Sequence, residues 1–118
     1  MSFWEVCRVM KHELRMVYIT TQNKEQAKAI GTLLVEKKLA ACVNILDGMQ
    51  SIYRWQGNIV EDNECILIAK TKASLIHKLS EEVCASHSYE CPCVVSLPIM
   101  DNEGNAEYLQ WLADETKG

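Results

Sequence analysis

Between residues 84 and 93 the chain carries three thiols and an imidazole: Cys84, His87, Cys91 and Cys93. Thiolate and imidazole are ligands for soft or borderline ions, so these ten residues hold enough donors for Cu(I) or Zn(II). Cys84 and His87, three apart at a predicted helix end, share a face, and Cys91 and Cys93 share a strand face. The spacing matches no standard zinc pattern, and Pro92 between two of the donors restricts their geometry. The plainer reading is two buried thiols, one exposed thiol and a capping histidine. It is the stronger of the two, because free cysteine usually serves as a small buried hydrophobe. His12 and His77 read as surface residues.

A second constellation is aromatic and charged: Tyr53, Trp55, Glu61, Lys70, Tyr89 and Glu90. Lys70 closes an apolar run just before a helix start, near anion-receptive backbone groups. Tyr89 and Glu90 lie where the chain turns from helix to strand. Brought together across subunits, these six would line a small pocket for an anion or metabolite; the alternative is packing and ion pairing at an interface.

Enzyme signatures are missing. Glycines stand only at positions 31, 48, 57, 104 and 118, a spacing that excludes a P-loop or a dinucleotide fingerprint. His87 beside Cys84 or Cys91 lacks an orienting third group and an oxyanion hole. No catalysis is expected.

The 118 residues fit one domain, with 48% hydrophobic and 24% charged residues. Twelve Lys and Arg scattered among sixteen acids give a net charge of −4, which argues against nucleic acid. No apolar run approaches the ~18 residues of a membrane span. Trp4, Glu5, Arg8, Lys11, His12 and Glu13 interrupt the start, so no secretory signal is read and a cytoplasmic location is expected. There the six cysteines are kept reduced; Cys42 and Cys65, inside apolar strand runs, read as packing residues.

The positioning elements follow from pattern. Residues 1–15 read as an N-terminal appendage, disordered or the vestige of an upstream start, with 16–118 as a single domain. Met16 to Thr21 is β-branched and aromatic, hence a strand. Asn23 with Gln26 makes a capping box, and Ala27, Ile30, Leu33 and Leu34 predict a helix to about Lys38. Two long strands, about Cys42 to Trp55 and Ile59 to Thr71, join through Gln56-Gly57-Asn58, with Asp47-Gly48 expected to bend the first. Ile76, Leu79 and Val83 mark a second helix from Ala73 to about His87. Val94 to Ile99 is a strand whose Pro98 places it at an edge or end. Tyr108, Leu109, Trp111 and Leu112 form a short last helix. The order βαββαβ plus a helix is the ferredoxin-like α+β plan.

Each hairpin arm would reach about 40 Å at ~3.3 Å per residue, whereas a compact domain of this length is roughly 35 Å across. The tip, with Ile52, Tyr53 and Trp55, should overhang its own core. Apolar surface and open strand edges of that kind call for a partner, so an oligomer is expected. Either oligomer contacts or the last helix must cover the second face of the sheet.

The motifs Ala40-Ala41-Cys42-Val43-Asn44, Ser51-Ile52-Tyr53-Arg54-Trp55-Gln56-Gly57, Lys70-Thr71, His87-Ser88-Tyr89-Glu90-Cys91-Pro92 and Tyr108-Leu109-Gln110-Trp111-Leu112 resemble those of the CutA divalent-cation tolerance family. The resemblance covers about Met16 to Leu112. It implies a ferredoxin-like subunit in a homotrimer, with hairpins building intersubunit sheets as in PII signalling proteins, and a role in copper and divalent-cation tolerance. Animal members are associated with acetylcholinesterase assembly. The chain departs from the family pattern at Asp47 and Ser88, where many members have proline. It departs again at Thr20 and Ser86, where bacterial members proposed to bind copper carry a cysteine and a second histidine. Cys91 and Cys93 occupy positions that are usually not cysteine. The expected activity is non-enzymatic metal-ion tolerance, with copper or another divalent cation as the ion; the alternative is a PII-like small-ligand or protein-partner module.

Overall fold

The computed structural model describes residues 13–100 and 102–117. Residues 1–12, including His12 and most of the expected appendage, lie outside it. Strand β1 runs Leu14–Thr21, helix α1 Lys24–Glu36, strand β2 Cys42–Trp55 and strand β3 Asn58–Lys72. A 3-10 turn at Ala73–Leu75 leads into α2, Ile76–Ser86, followed by β4, Val94–Ile99, and α3, Ala106–Asp114. The sheet order is β2-β3-β1-β4 with every neighbour antiparallel, the ferredoxin-like arrangement that the element order predicts. β4 is an edge strand, where Pro98 costs no ladder bond on the open side.

Local signals act largely as read. The Asn23 side chain accepts from Gln26 N at 2.8 Å, while the Gln26 side chain accepts from Gln22 N at 2.9 Å, one residue before the position a capping box requires. α1 ends at Glu36, two residues short of the expected Lys38, which instead adopts φ 58 beyond the cap. Lys37 pairs with Glu82 of α2 at 2.6 Å.

β1 begins at Leu14 rather than Met16. Leu14 is buried against Leu109, Leu112 and Ala113 of α3, far away in sequence, so no local pattern announces it. The main core lies on the other side of the sheet. There Val17, Ile19, Leu67 and Ala69 meet Ala27, Ile30 and Leu34 of α1 with Leu79 and Val83 of α2. Cys65 is fully buried among them, the packing role expected of it; burial is the main cause that pushes its thiol pKa up. Thr21 and Thr71, also buried, donate to Cys65 O at 3.0 Å and Leu39 O at 2.6 Å, so neither hydroxyl is stranded.

The hairpin turns through two residues, Gln56 at φ 49 and Gly57 at φ 83, with Trp55 paired to Asn58. Two successive left-handed residues match the strand twist, which makes this loop favoured in long hairpins. Asp47 and Gly48 stand opposite the single residue Cys65, a bulge with Gly48 at φ 79 whose N–H donates to the Asp47 carboxylate at 2.9 Å. The principal extents of 55 × 25 × 22 Å show the consequence, a hairpin that overhangs its core.

Residues paired across neighbouring strands share a face. On the face away from α1 and α2, Leu46 aligns with Ile66, Ile68 with Tyr18 and Val95, and Met16 with Leu97. α3 covers only the end of this face, at Leu14 and Ile99. Leu46, Val95 and Leu97 remain 55%, 52% and 50% exposed.

Candidate functional site

A cleft of about 570 Å³ opens where the overhanging hairpin meets the segment that follows α2. Strand β2 contributes Tyr53 and Trp55, and β3 contributes Asp62 and Glu64. The connection to β4 supplies Tyr89, Glu90, Cys91 and Cys93, and Thr20 closes the inner end. Period-two alternation explains the strand contributions. Beyond the bulge, Met49 pairs with Glu64, Ser51 with Asp62 and Tyr53 with Val60, so one face presents the tyrosine and both acids together.

Two tyrosine–carboxylate bonds organise the cleft. Tyr53 Oη donates to Asp62, and Tyr89 Oη donates to Glu64 Oε2 at 3.0 Å. Among the lining residues are three carboxylates, Asp62, Glu64 and Glu90, and no lysine, arginine or histidine. Burial first, and then the bonded carboxylate of Glu64, push the Tyr89 hydroxyl pKa up to about 12. The hydrogen bond to Asp62 is the first cause raising that of Tyr53.

His87 holds the connecting segment in place. Its Nδ1 accepts from Tyr89 N at 3.0 Å, which leaves Nε2 as the protonated nitrogen, donating to Thr20 O at 2.7 Å. The imidazole also packs on the Tyr89 ring, with centroids 4.6 Å apart. Ser88 is pinned by Gln26 and Gln22 at 2.8 and 3.1 Å, which orders this turn without the proline common in the resembling family.

The Tyr89–Glu64 bond yields a pH prediction. A folded-state pKa of about 12 lies above the ordinary value of 10.0, so this bond's stabilisation is complete below about pH 10 and is lost as the pH rises through 12. Absorbance at 295 nm should show one tyrosine titrating near the upper value and missing from Tyr89→Phe. An unchanged titration curve in that variant would rule the bond out.

The residues singled out by pattern are placed as follows. Cys91 and Cys93 line the cleft, Cys84 is exposed near the end of α2, and both His87 nitrogens are occupied by backbone groups. His87 stands at the C-cap position of α2, but its ring bonds the backbone of Thr20 and Tyr89 rather than the helix. Cys84 and Cys91 are both exposed and Cys93 is half-buried, where the plainer reading has two buried thiols. Among the described residues no three His, Cys, Asp or Glu side chains are gathered to hold a metal ion. Tyr53, Trp55, Tyr89 and Glu90 do converge. Within one subunit Glu61 and Lys70 do not join them. Glu61 alternates to the other face of β3, between Val60 and Asp62. Lys70 lies nine residues beyond Glu61 along the strand and donates to Tyr108 Oη at 3.2 Å. Asp62 and Glu64 were missed; counting the register back from a two-residue Gln56-Gly57 turn would have found both. His77 is exposed and pairs with Glu81 at 2.8 Å, a surface role as expected.

Residues 15–115 match the family model of the CutA1 divalent ion tolerance protein. A divalent-cation tolerance protein CutA from Thermus thermophilus is 52% identical over 101 residues, covering 86% of this chain and 96% of that protein. The chloroplastic protein CutA of Arabidopsis thaliana is 44% identical over 102 residues, and the matched region spans 86% of this chain but 55% of that longer protein. Among solved structures, the Thermus thermophilus divalent cation tolerance protein superposes with a TM-score of 0.85 at 50% identity, covering 88% of this chain and 99% of the other. CutA1 from Oryza sativa gives 0.86 at 43%, covering 90% and 95%. Identity at this level across one long hairpin and one four-stranded sheet means that the chain belongs to the CutA1 divalent ion tolerance protein family.

Proposed function

We propose that this protein is a cytoplasmic, non-enzymatic homotrimer that contributes to tolerance of divalent cations, copper among them. The observation that carries the reading is the family match over residues 15–115, with a half-identical relative named for divalent-cation tolerance. The overhanging hairpin and the apolar sheet face that α3 leaves open support assembly. No helix among the described residues is long and apolar enough to cross a membrane.

The described residues of one subunit supply no three-donor set for a divalent ion. The donors that suit a copper ion are thiols, which favour Cu(I), and Cys91 and Cys93 reach the cleft without a helix covering them. Reduced protein titrated with Cu(I) against a competing chelator should bind at least about tenfold more weakly when Cys91 and Cys93 are both serine, a loss of roughly 1.4 kcal/mol. Cys84→Ser and His87→Ala serve as comparisons. Equal affinity in the double-serine protein would exclude direct copper binding at this segment.

A second reading is favoured by the cleft itself, a concave, partly aromatic space on which polar groups converge. In it the protein acts as a PII-like module that binds a small ligand. Enclosure of the cleft by neighbouring subunits belongs to the same reading.

A further inference from the structure

Glu64 is only 8% exposed, yet its hydrogen bonding is half used. Oε2 accepts from Tyr89, and among the described residues no side chain or backbone N–H donates to Oε1. Every buried side-chain oxygen among the described residues has a partner, so Oε1 is open to the cleft rather than stranded. Asp62 and Glu90 line the same space, and among the described residues no cationic side chain does. Within one subunit the described lining of the cleft is therefore negative; the anion site expected with Lys70 is one built across subunits.

The remaining walls narrow the class of cation. Trp55, Tyr53 and Tyr89 present aromatic surface. Aromatic faces attract cations, and they also favour an apolar body over a hydrated ion. Among the described residues no three-donor group is gathered for a metal. A volume of about 570 Å³ suits a small organic molecule.

We propose that the cleft binds an organic primary ammonium ion, its –NH3⁺ donating to the free oxygen of Glu64 and its apolar body lying against Trp55. This assignment rests on the reading of the cleft as a ligand site. Asp62 strengthens the local field, and Tyr89 orients the Glu64 carboxylate by holding its other oxygen.

The test is calorimetric titration of the full-length, reduced protein with two probes of like size and opposite charge, phenethylamine and 3-phenylpropionate. Phenethylamine should bind at least tenfold more tightly. Glu64→Gln, close in shape, should weaken it about tenfold, whereas Glu61→Gln on the opposite strand face should leave it unchanged. Asp62→Asn, at a more exposed position, provides a second variant should Glu64→Gln fail to fold, and the comparison of the two probes needs no variant. Equal or tighter binding of 3-phenylpropionate would overturn the ammonium assignment while leaving the cleft a ligand site. Phenethylamine affinity untouched by both acidic-residue variants would place it elsewhere and overturn the assignment too. Binding of neither probe at millimolar concentration would overturn both the assignment and the reading beneath it.

Discussion

Leu67→Ala is expected to destabilise the fold by about 3 kcal/mol, within the range for emptying a fully buried leucine site. Leu67 is wholly buried, pairs with Ile19 on one side and Ile45 on the other, and packs beneath α1. Its neighbour in that helix is Gly31, where an added Cβ would lie 3.2 Å from Leu67 Cδ1 and 3.0 Å from Val43 Cγ2. The helix thus approaches the sheet too closely for the void to fill by simple collapse. For a domain whose total stability is about 5–15 kcal/mol, the loss is a large fraction. Urea unfolding at one fixed protein concentration measures it, since assembly would otherwise shift the midpoint. A loss below about 1 kcal/mol would contradict the packing described. Gly31→Ala in the Leu67→Ala background should cost less than in the native protein, because one of its two close contacts has gone.

Val95→Asp is expected to reduce the proposed trimer to single chains. Val95 lies at the edge of the open apolar face, aligned with Tyr18, and is 52% exposed in the subunit. A carboxylate there remains solvated in the isolated subunit, so folding is largely spared. In an assembly that covers this face the same carboxylate is buried without a partner, at a cost of several kcal/mol. Each 1.4 kcal/mol is roughly a factor of ten in the association constant, and symmetry repeats the defect in every subunit. Light scattering should give three times the 13.4 kDa chain mass for the native protein and about one chain mass for the variant, with unchanged far-ultraviolet circular dichroism. A native protein that runs as a single chain, or a variant that stays trimeric, would refute assembly through this face. Thr32→Asp, on the exposed side of α1, provides the charge control.

The ammonium assignment makes the direction of side chains along the hairpin consequential. Tyr53 and Trp55 could be chosen from the sequence because large aromatics near a strand tip are conspicuous. Their acidic neighbours were harder to choose, since Glu61, Asp62 and Glu64 differ only in parity until the turn length is known. A two-residue turn puts Asp62 and Glu64 beside Tyr53 and sends Glu61 to the other face. A turn one residue longer would have inverted that result.

What the amino-acid order determined by itself is what depends on neighbours within a few positions. That includes the element order, the Asn23 cap, the bulge at Asp47-Gly48, the hairpin turn at Gly57 and the edge placement required by Pro98. Each follows from backbone freedom or local hydrogen bonding, which act at short range along the chain. Tertiary structure decided the rest. It buried Leu14 under α3, carried Lys70 away to Tyr108, tied both His87 nitrogens to backbone groups, and brought Glu64 to Tyr89 across twenty-five residues. Those outcomes depend on register and on contacts between distant segments. The same spacing of Cys84, His87, Cys91 and Cys93 is compatible with a gathered ligand set or a dispersed one until the sheet has placed Thr20 beside the imidazole.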